Sequence, residues 1–306
     1  MFFPYRACIS LFQIPILTIL LSVLCVGTFI AQYQNQQAIS NAAIQYCDKD
    51  LGREFYRTLK RLGSQDEMGD CVGLMLTIHS RPDSKATIKK IVGVYNKPGT
   101  GYLQGNDYYE DIISKAYLSF RIAAPRDLTA QLIYSPASWN PLHMLSAVVA
   151  HGSWAHVIGN LIFFYAFAAT LEVLLGPILY VGVLLLLAFG TQIAYSLASL
   201  GQVEALPTLG LSGVVTGAIA LFCYFLPHAR IRCLLWLLIF FRRFSVRAWI
   251  LAVWFIGFDL YHQLTGTDDS GTNLIAHLSG AALGLLMGLI FFRDKRHWAQ
   301  GLIQDH

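Results

Sequence analysis

The chain has 306 residues, 55% of them hydrophobic and 13% charged, with a mean hydropathy of +0.51. An ordinary soluble domain carries about a quarter charged residues, so the composition excludes one and assigns a membrane protein in contact with the lipid bilayer. The net charge of +4 is small and no basic, aromatic-interleaved patch is present, so nucleic acid is not an expected partner.

In chain order, a lone Arg6 precedes an apolar run from Cys8 to Ala31. The run is too long for a signal-peptide core and no small-x-small cleavage site follows it, so it reads as a retained transmembrane helix. Residues 32–140 hold 24 of the 40 charged side chains. They are expected to form helices at Asn41–Leu62 and Asp107–Phe120, separated by a turn-rich break at 96–106. Cys47 and Cys71 lie in this segment. In an oxidising compartment they invite a disulfide; two free or buried thiols are the alternative. Cys8, Cys25, Cys223 and Cys233 fall in or beside apolar runs and read as small hydrophobic filler.

Five more stretches of about twenty residues read as spans: Trp154–Leu171, Ile178–Leu200, Leu209–Pro227, Ala248–Leu264 and Asn273–Phe292. Leu142–Ala150 is apolar but suits an outer loop, with His143 given no role. Ile231–Phe241 is too short to cross and is bracketed by Arg230, Arg232, Arg242 and Arg243, which places it in the interface plane. These arginines and the tail from Arg293 to Arg296 belong in the cytoplasm by the positive-inside rule. Six spans satisfy both and leave both termini inside. The outer segments are then 32–140, the loop 201–208 with Glu204, and the loop 261–272 with Asp268 and Asp269. The expected fold is an all-α membrane protein, a six-helix bundle with a large extracytoplasmic insert. Its parts are helix 1 in residues 1–31, the insert 32–140, a core 141–293 and a cytoplasmic tail 294–306.

Within that topology, Ser212 in Gly210-Leu211-Ser212-Gly213 and His277 in the sixth span lie at similar depth near the outer surface. An ionisable group inside a membrane helix is a functional site by default. Gly280, Gly284 and Gly288 follow His277 at spacing four, and Gly213 and Gly217 follow Ser212. Small faces of this kind allow a close helix crossing, which would bring a serine hydroxyl to an imidazole base. Ser153 reads as the N-cap of the second span. That puts His156 in its first turn and Asn160 one turn further on the same face, two neutral donors for a developing oxyanion. His151, nearer the surface, reads as a group that orients its neighbours.

The set HGSWAHVIGN, GLSG and AHLSGAALG resembles the rhomboid family of intramembrane serine proteases. It matches the family's H-x4-H-x3-N, G-x-S-G and A-H-x2-G-x3-G signatures in order over about residues 139–293. The resemblance implies Ser212 as nucleophile and His277 as base. It implies His156 and Asn160 as oxyanion donors with the Ser212 amide, with His151, Gly210 and Gly213 supporting the site. Glu172 matches an acidic residue with a structural role. Two departures stand out. Asn140 follows Trp139 where the family usually has Trp-Arg, and Thr216 stands where some members stack an aromatic on the catalytic histidine. Asp259, near the outer end of the fifth span, is not expected to complete a triad, because the family works with a dyad.

The implied reaction is hydrolysis of a peptide bond in a single-span membrane protein, reached between the second and fifth helices. No metal or organic cofactor is expected, since no H-E-x-x-H and no Cys/His cluster with ligand spacing occurs. A bacterial plasma membrane is the expected setting. Two other classes compete. A catalytically inactive relative that binds membrane clients would lack Ser or His, and both are present. A transporter would show paired repeats or broken helices, and no internal symmetry is seen.

Overall fold

In the computed structural model the described residues are 2–7, 13–49, 51–81, 83–95, 105–202, 205–237, 240–266 and 273–304. Cys8, Glu204, Asp268, Asp269 and most of the 96–106 break lie outside them. The chain divides into two compact units, residues 1–29 with 132–306, and residues 30–131. In order the elements are β1 (Phe2–Ala7), α1 (Ile16–Cys47), α2 (Arg53–Arg61), α3 (Glu67–His79), α4 (Ser84–Tyr95), α5 (Asn106–Ala123), α6 (Leu128–Leu132) and α7 (Pro141–Val149). They continue with α8 (Trp154–Leu175), α9 (Pro177–Ala198), α10 (Ser212–Phe225), β2 (Arg230–Leu237), β3 (Phe240–Arg247), α11 (Ala248–Thr265), α12 (Leu274–Phe291) and α13 (Arg293–Gln304). Four of these, α1, α8, α9 and α12, are long and apolar enough to cross a membrane. The protein is mostly helical and integral to the membrane.

The expected first span begins too early and ends too soon. Its helix starts at Ile16, because the carbonyl of Pro15 accepts the first helical bond, from Ile19, and the fixed φ of proline suits a helix start. It then continues through Gln32 to Cys47, a polar run with no glycine or proline to stop it. The expected helix 41–62 is two helices, broken at Gly52, whose φ of +87° is left-handed. Leu142–Ala150, expected in an outer loop, is mostly helical and does not appear among the helices long enough to cross. Pro141 starts the short helix α7, and the Asn140 carboxamide oxygen caps it by accepting from Leu142 N and His143 N.

The all-α expectation is also corrected. Arg230–Leu237 and Phe240–Arg247 pair as antiparallel strands, and β1 pairs with β2 to give a three-stranded sheet in the order β1-β2-β3. The missed signal is an alternation of period two. Ile231 and Cys233 are fully buried against the bundle while Arg230 and Arg232 are exposed, which is the pattern of a half-buried strand. In β3, Ser245 and Arg247 lie opposite Arg232 and Arg230 and are likewise exposed.

The core of the first unit is built on α8, α9, α10 and α12, with Phe164, Phe167, Leu171, Tyr180, Leu187 and Phe222 fully enclosed. Glu172, near the end of α8, lies in this core and accepts from Leu17 N, Thr18 N and Thr18 Oγ1 at 2.9, 2.8 and 2.7 Å. Those amides are first-turn donors of α1 with no intrahelical acceptor, so the carboxylate serves as a cap supplied from another helix. Tyr180 Oη joins Thr18 Oγ1 at 2.8 Å and extends the network.

α10 and α12 cross at glycine-level contact. A Cβ on Gly280 would run into the Gly213 carbonyl oxygen, and one on Gly284 into that of Gly217. A Cβ on Gly217 would meet Leu187 and the Gly280 carbonyl. Any larger residue would push the helices apart, which is how small-residue stripes set helix separation in membranes.

The second unit packs α2–α5 with the later turns of α1. Tyr109, Ile113, Tyr117 and Phe120 form the buried stripe of α5 at helical spacing, against Ile39, Ala43, Phe55, Leu59, Met75, Ile78 and Val92. A disulfide joins Cys47, the last residue of α1, to Cys71 in α3, with Cα atoms 6.0 Å apart.

Candidate active site

Ser212 is the first residue of α10. The chain enters this helix through Gly210, whose φ is +116° and whose N–H donates to the Ala147 carbonyl at 2.7 Å. A side chain there is excluded twice. The left-handed φ disfavours it, and a Cβ would lie 2.8 Å from both Cε1 and Nε2 of His156. The first-turn N–H groups of α10, that of Ser212 included, have no intrahelical acceptor and carry the positive end of the helix dipole.

At the start of α8, the hydroxyl of Ser153 accepts from His156 N at 3.1 Å, the capping geometry expected for that serine. Asn160 is buried one turn on, and its Nδ2 has no hydrogen-bond partner among the described residues. The same nitrogen lies 3.8 Å from where a Gly210 Cβ would be. His151 is buried in the turn between α7 and α8, with Nδ1 3.1 Å from the Val149 carbonyl and its ring edge-on to His156, centroids 5.2 Å apart. This turn lies outside the spanning helices, and burial pushes the imidazole down to about 4, with the nearby His156 acting in the same direction.

His277 lies in the first turn of α12, where Asn273 Oδ1 caps the helix by accepting from Ala276 N at 3.0 Å. Thr216 Oγ1 donates to the carbonyl oxygens of His277, at 2.9 Å, and Gly213, at 3.0 Å. That threonine therefore ties the backbone of α12 to α10 and does not stack on the ring. The ring is engaged from a third helix: His277 Nδ1 is 2.9 Å from Asp259 Oδ2 of α11, and both side chains are largely buried.

Ser212, His277, His156 and Asn160 all line one cavity of about 950 Å³. Among the described residues no hydrogen bond joins Ser212 to His277; in substrate-free enzymes such contacts are often loose and tighten only in the complex. The other walls include Tyr195, Gln202, Gln263 and Asn273. These polar residues were not legible as site residues, because each stands alone in its segment. Only Asn273 carried a signal, as a cap before an apolar run. The described residues contain no group of three His, Cys, Asp or Glu able to hold a metal. A hydroxyl at a helix N-terminus, an imidazole and neutral donors around one polar cavity are the equipment of acyl transfer.

The profile of the Rhomboid domain family matches residues 138–294, half of the chain. The protein belongs to the rhomboid family. No curated protein and no solved structure matches it. The match covers every residue lining the cavity, and the family's substrates are membrane proteins within the bilayer.

Proposed function

We propose that the protein is an intramembrane serine endopeptidase. Ser212 Oγ attacks a substrate peptide carbonyl while its proton passes to His277 Nε2. The tetrahedral oxyanion is held by His156 Nε2–H, Asn160 Nδ2–H and the Ser212 amide. Collapse breaks the C–N bond, and the proton on His277 goes to the leaving amine. Water, deprotonated by the same imidazole, then hydrolyses the ester and restores Ser212. The observation that carries this reading is the meeting on one cavity of Ser212, His277, His156 and Asn160, whose Nδ2 has no hydrogen-bond partner among the described residues.

The proposed topology has six crossings, α1, α8, α9, α10, α11 and α12, with both termini cytoplasmic in a bacterial plasma membrane. α10 has only 14 residues, about 21 Å of helix at 1.5 Å per residue, so it does not span alone. Ser212 at its outer end then lies below the membrane surface, and the cavity gives water a route to it. The substrates are single-span membrane proteins, reached between α8 and α11, and residues 32–140 form an extracytoplasmic domain.

The test uses purified protein in detergent, a fluorophosphonate probe and a model single-span substrate. Labelling and cleavage by the wild type, both lost in Ser212→Ala and His277→Ala, are expected. A folded wild type that neither labels nor cuts overturns the reading in favour of an inactive relative that binds membrane clients.

A further inference from the structure

We infer that Asp259 is a positioning residue for His277, making the site of this chain a serine–histidine pair oriented from α11. The inference rests on the protease reading above and adds to it a third residue.

α11 is apolar for most of its length, and Asp259 is its only carboxylate. A carboxylate in such a helix is costly and persists where it has a partner. Among the described residues its one ion-pair or hydrogen-bond partner is His277, Nδ1 to Oδ2 at 2.9 Å. The two side chains keep 14% and 18% of their exposure, so the contact is partly shielded from competing water.

The geometry has a chemical consequence. A carboxylate accepts only, so Nδ1 must carry the hydrogen. In the neutral ring Nε2 is then the bare nitrogen, the form needed to take a proton from a hydroxyl. Without the acceptor the ring is free to carry its hydrogen on Nε2 and loses the bond that fixes its rotation. Nothing else described performs this task. Thr216 of α10 hydrogen-bonds the backbone carbonyl of His277 and not its ring. Asn273 is spent on the helix cap. Orientation of the imidazole therefore comes from a different helix from the one that carries the serine.

The experiment compares Asp259→Asn, Asp259→Ala and Asp259→Glu in the full-length protein. Three readouts are taken: steady-state cleavage, fluorophosphonate titration to count active sites, and 15N NMR of histidine-labelled protein, with His277→Ala assigning the resonance. The Asn variant is expected to lose up to roughly 10,000-fold in kcat per titrated site, the loss known for replacing an orienting carboxylate by its amide. KM should stay within about twofold, because no ground-state contact to substrate is removed. The His277 nitrogen shifts should move from the Nδ1–H form towards a mixture, and Asp259→Glu should recover part of both. A merely structural role would lower the number of titratable sites and leave kcat per site and the nitrogen shifts unchanged, which overturns the inference. The two readings fail separately. A wild type that cuts while the Asn variant matches it removes Asp259 and keeps the protease. A wild type that neither labels nor cuts, but whose His277 shifts respond to Asp259→Asn, removes the protease and keeps the positioning contact.

Discussion

Gly210 stands directly against the imidazole of His156, so that a single added carbon would lie 2.8 Å from two of its ring atoms. This contact links the turn before α10 to the first turn of α8, and so sets the distance between the serine and the donors opposite it. Gly210→Ala should act on the site before it acts on the fold. The new Cβ must displace the ring, and the left-handed backbone at φ +116° strains any L side chain by about 1–3 kcal/mol. The expected result is a loss of about 100-fold or more in cleavage with a smaller drop in Tm. Thermal unfolding measured alongside cleavage of the model substrate checks it.

Four of the residues that meet at the cavity, Ser212, His277, His156 and Asn160, could be proposed from the sequence because each sits beside a local signal. Ser153 and Asn273 mark helix starts, and counting from them fixes the face and depth of His156, Asn160 and His277. The Asp259–His277 contact could not be read this way. It joins two helices across a loop, and no periodicity reports which way a lone carboxylate on α11 turns. The sheet was hidden for a different reason. Its strands β2 and β3 are rich in leucine and phenylalanine, so apolar length masked the Arg-Ile-Arg-Cys alternation, and its third strand comes from the far N-terminus. The end of α1 was misplaced because hydropathy marks where lipid ends, whereas the helix continues until Cys47.

The Cys47–Cys71 bond closes a loop across 24 residues that includes α2 and the turns flanking it. Loop-closure entropy for that length corresponds to about 3–4 kcal/mol. Reduction, or the double change Cys47→Ser with Cys71→Ser, should therefore raise the rate of proteolytic cutting within residues 48–105. Fluorophosphonate labelling of Ser212 should persist, because that serine belongs to the other compact unit. Limited proteolysis with and without reductant, read by mass spectrometry, gives the answer; equal protection in both states would mean that the bond adds nothing to this unit.

His151 makes stability depend on pH with a definite sign. Its folded-state pKa of about 4 lies below the unfolded value near 6.5. The unfolded chain therefore binds a proton in a range where the folded one does not. The stabilisation from the neutral ring is fully present above pH 6.5 and is lost as pH falls towards 4. It amounts to no more than about 3 kcal/mol. Tm measured from pH 7 to pH 4 should fall, and His151→Gln, which cannot take up a proton, should flatten the curve across that window.

Asn160 offers the sharpest test of transition-state binding. Its Nδ2 is buried without a partner among the described residues, an arrangement that normally destabilises a protein by about 1–3 kcal/mol. A donor left unpaired in the resting site, on a residue that lines the cavity, is suited to a charge that exists only during the reaction. Asn160→Ala removes that donor and also relieves the unpaired group, so the protein should be as stable as the wild type or slightly more so. Its kcat should nevertheless fall about 100- to 1,000-fold, the range for loss of one oxyanion donor, with KM little changed. Asn160→Asp keeps the shape, replaces the donor with an acceptor and should be worse than alanine, since it sets a negative charge beside the developing oxyanion. If both variants cleave at the wild-type rate, the oxyanion is bound by His156 and the α10 amides alone, and the unpartnered nitrogen needs another explanation.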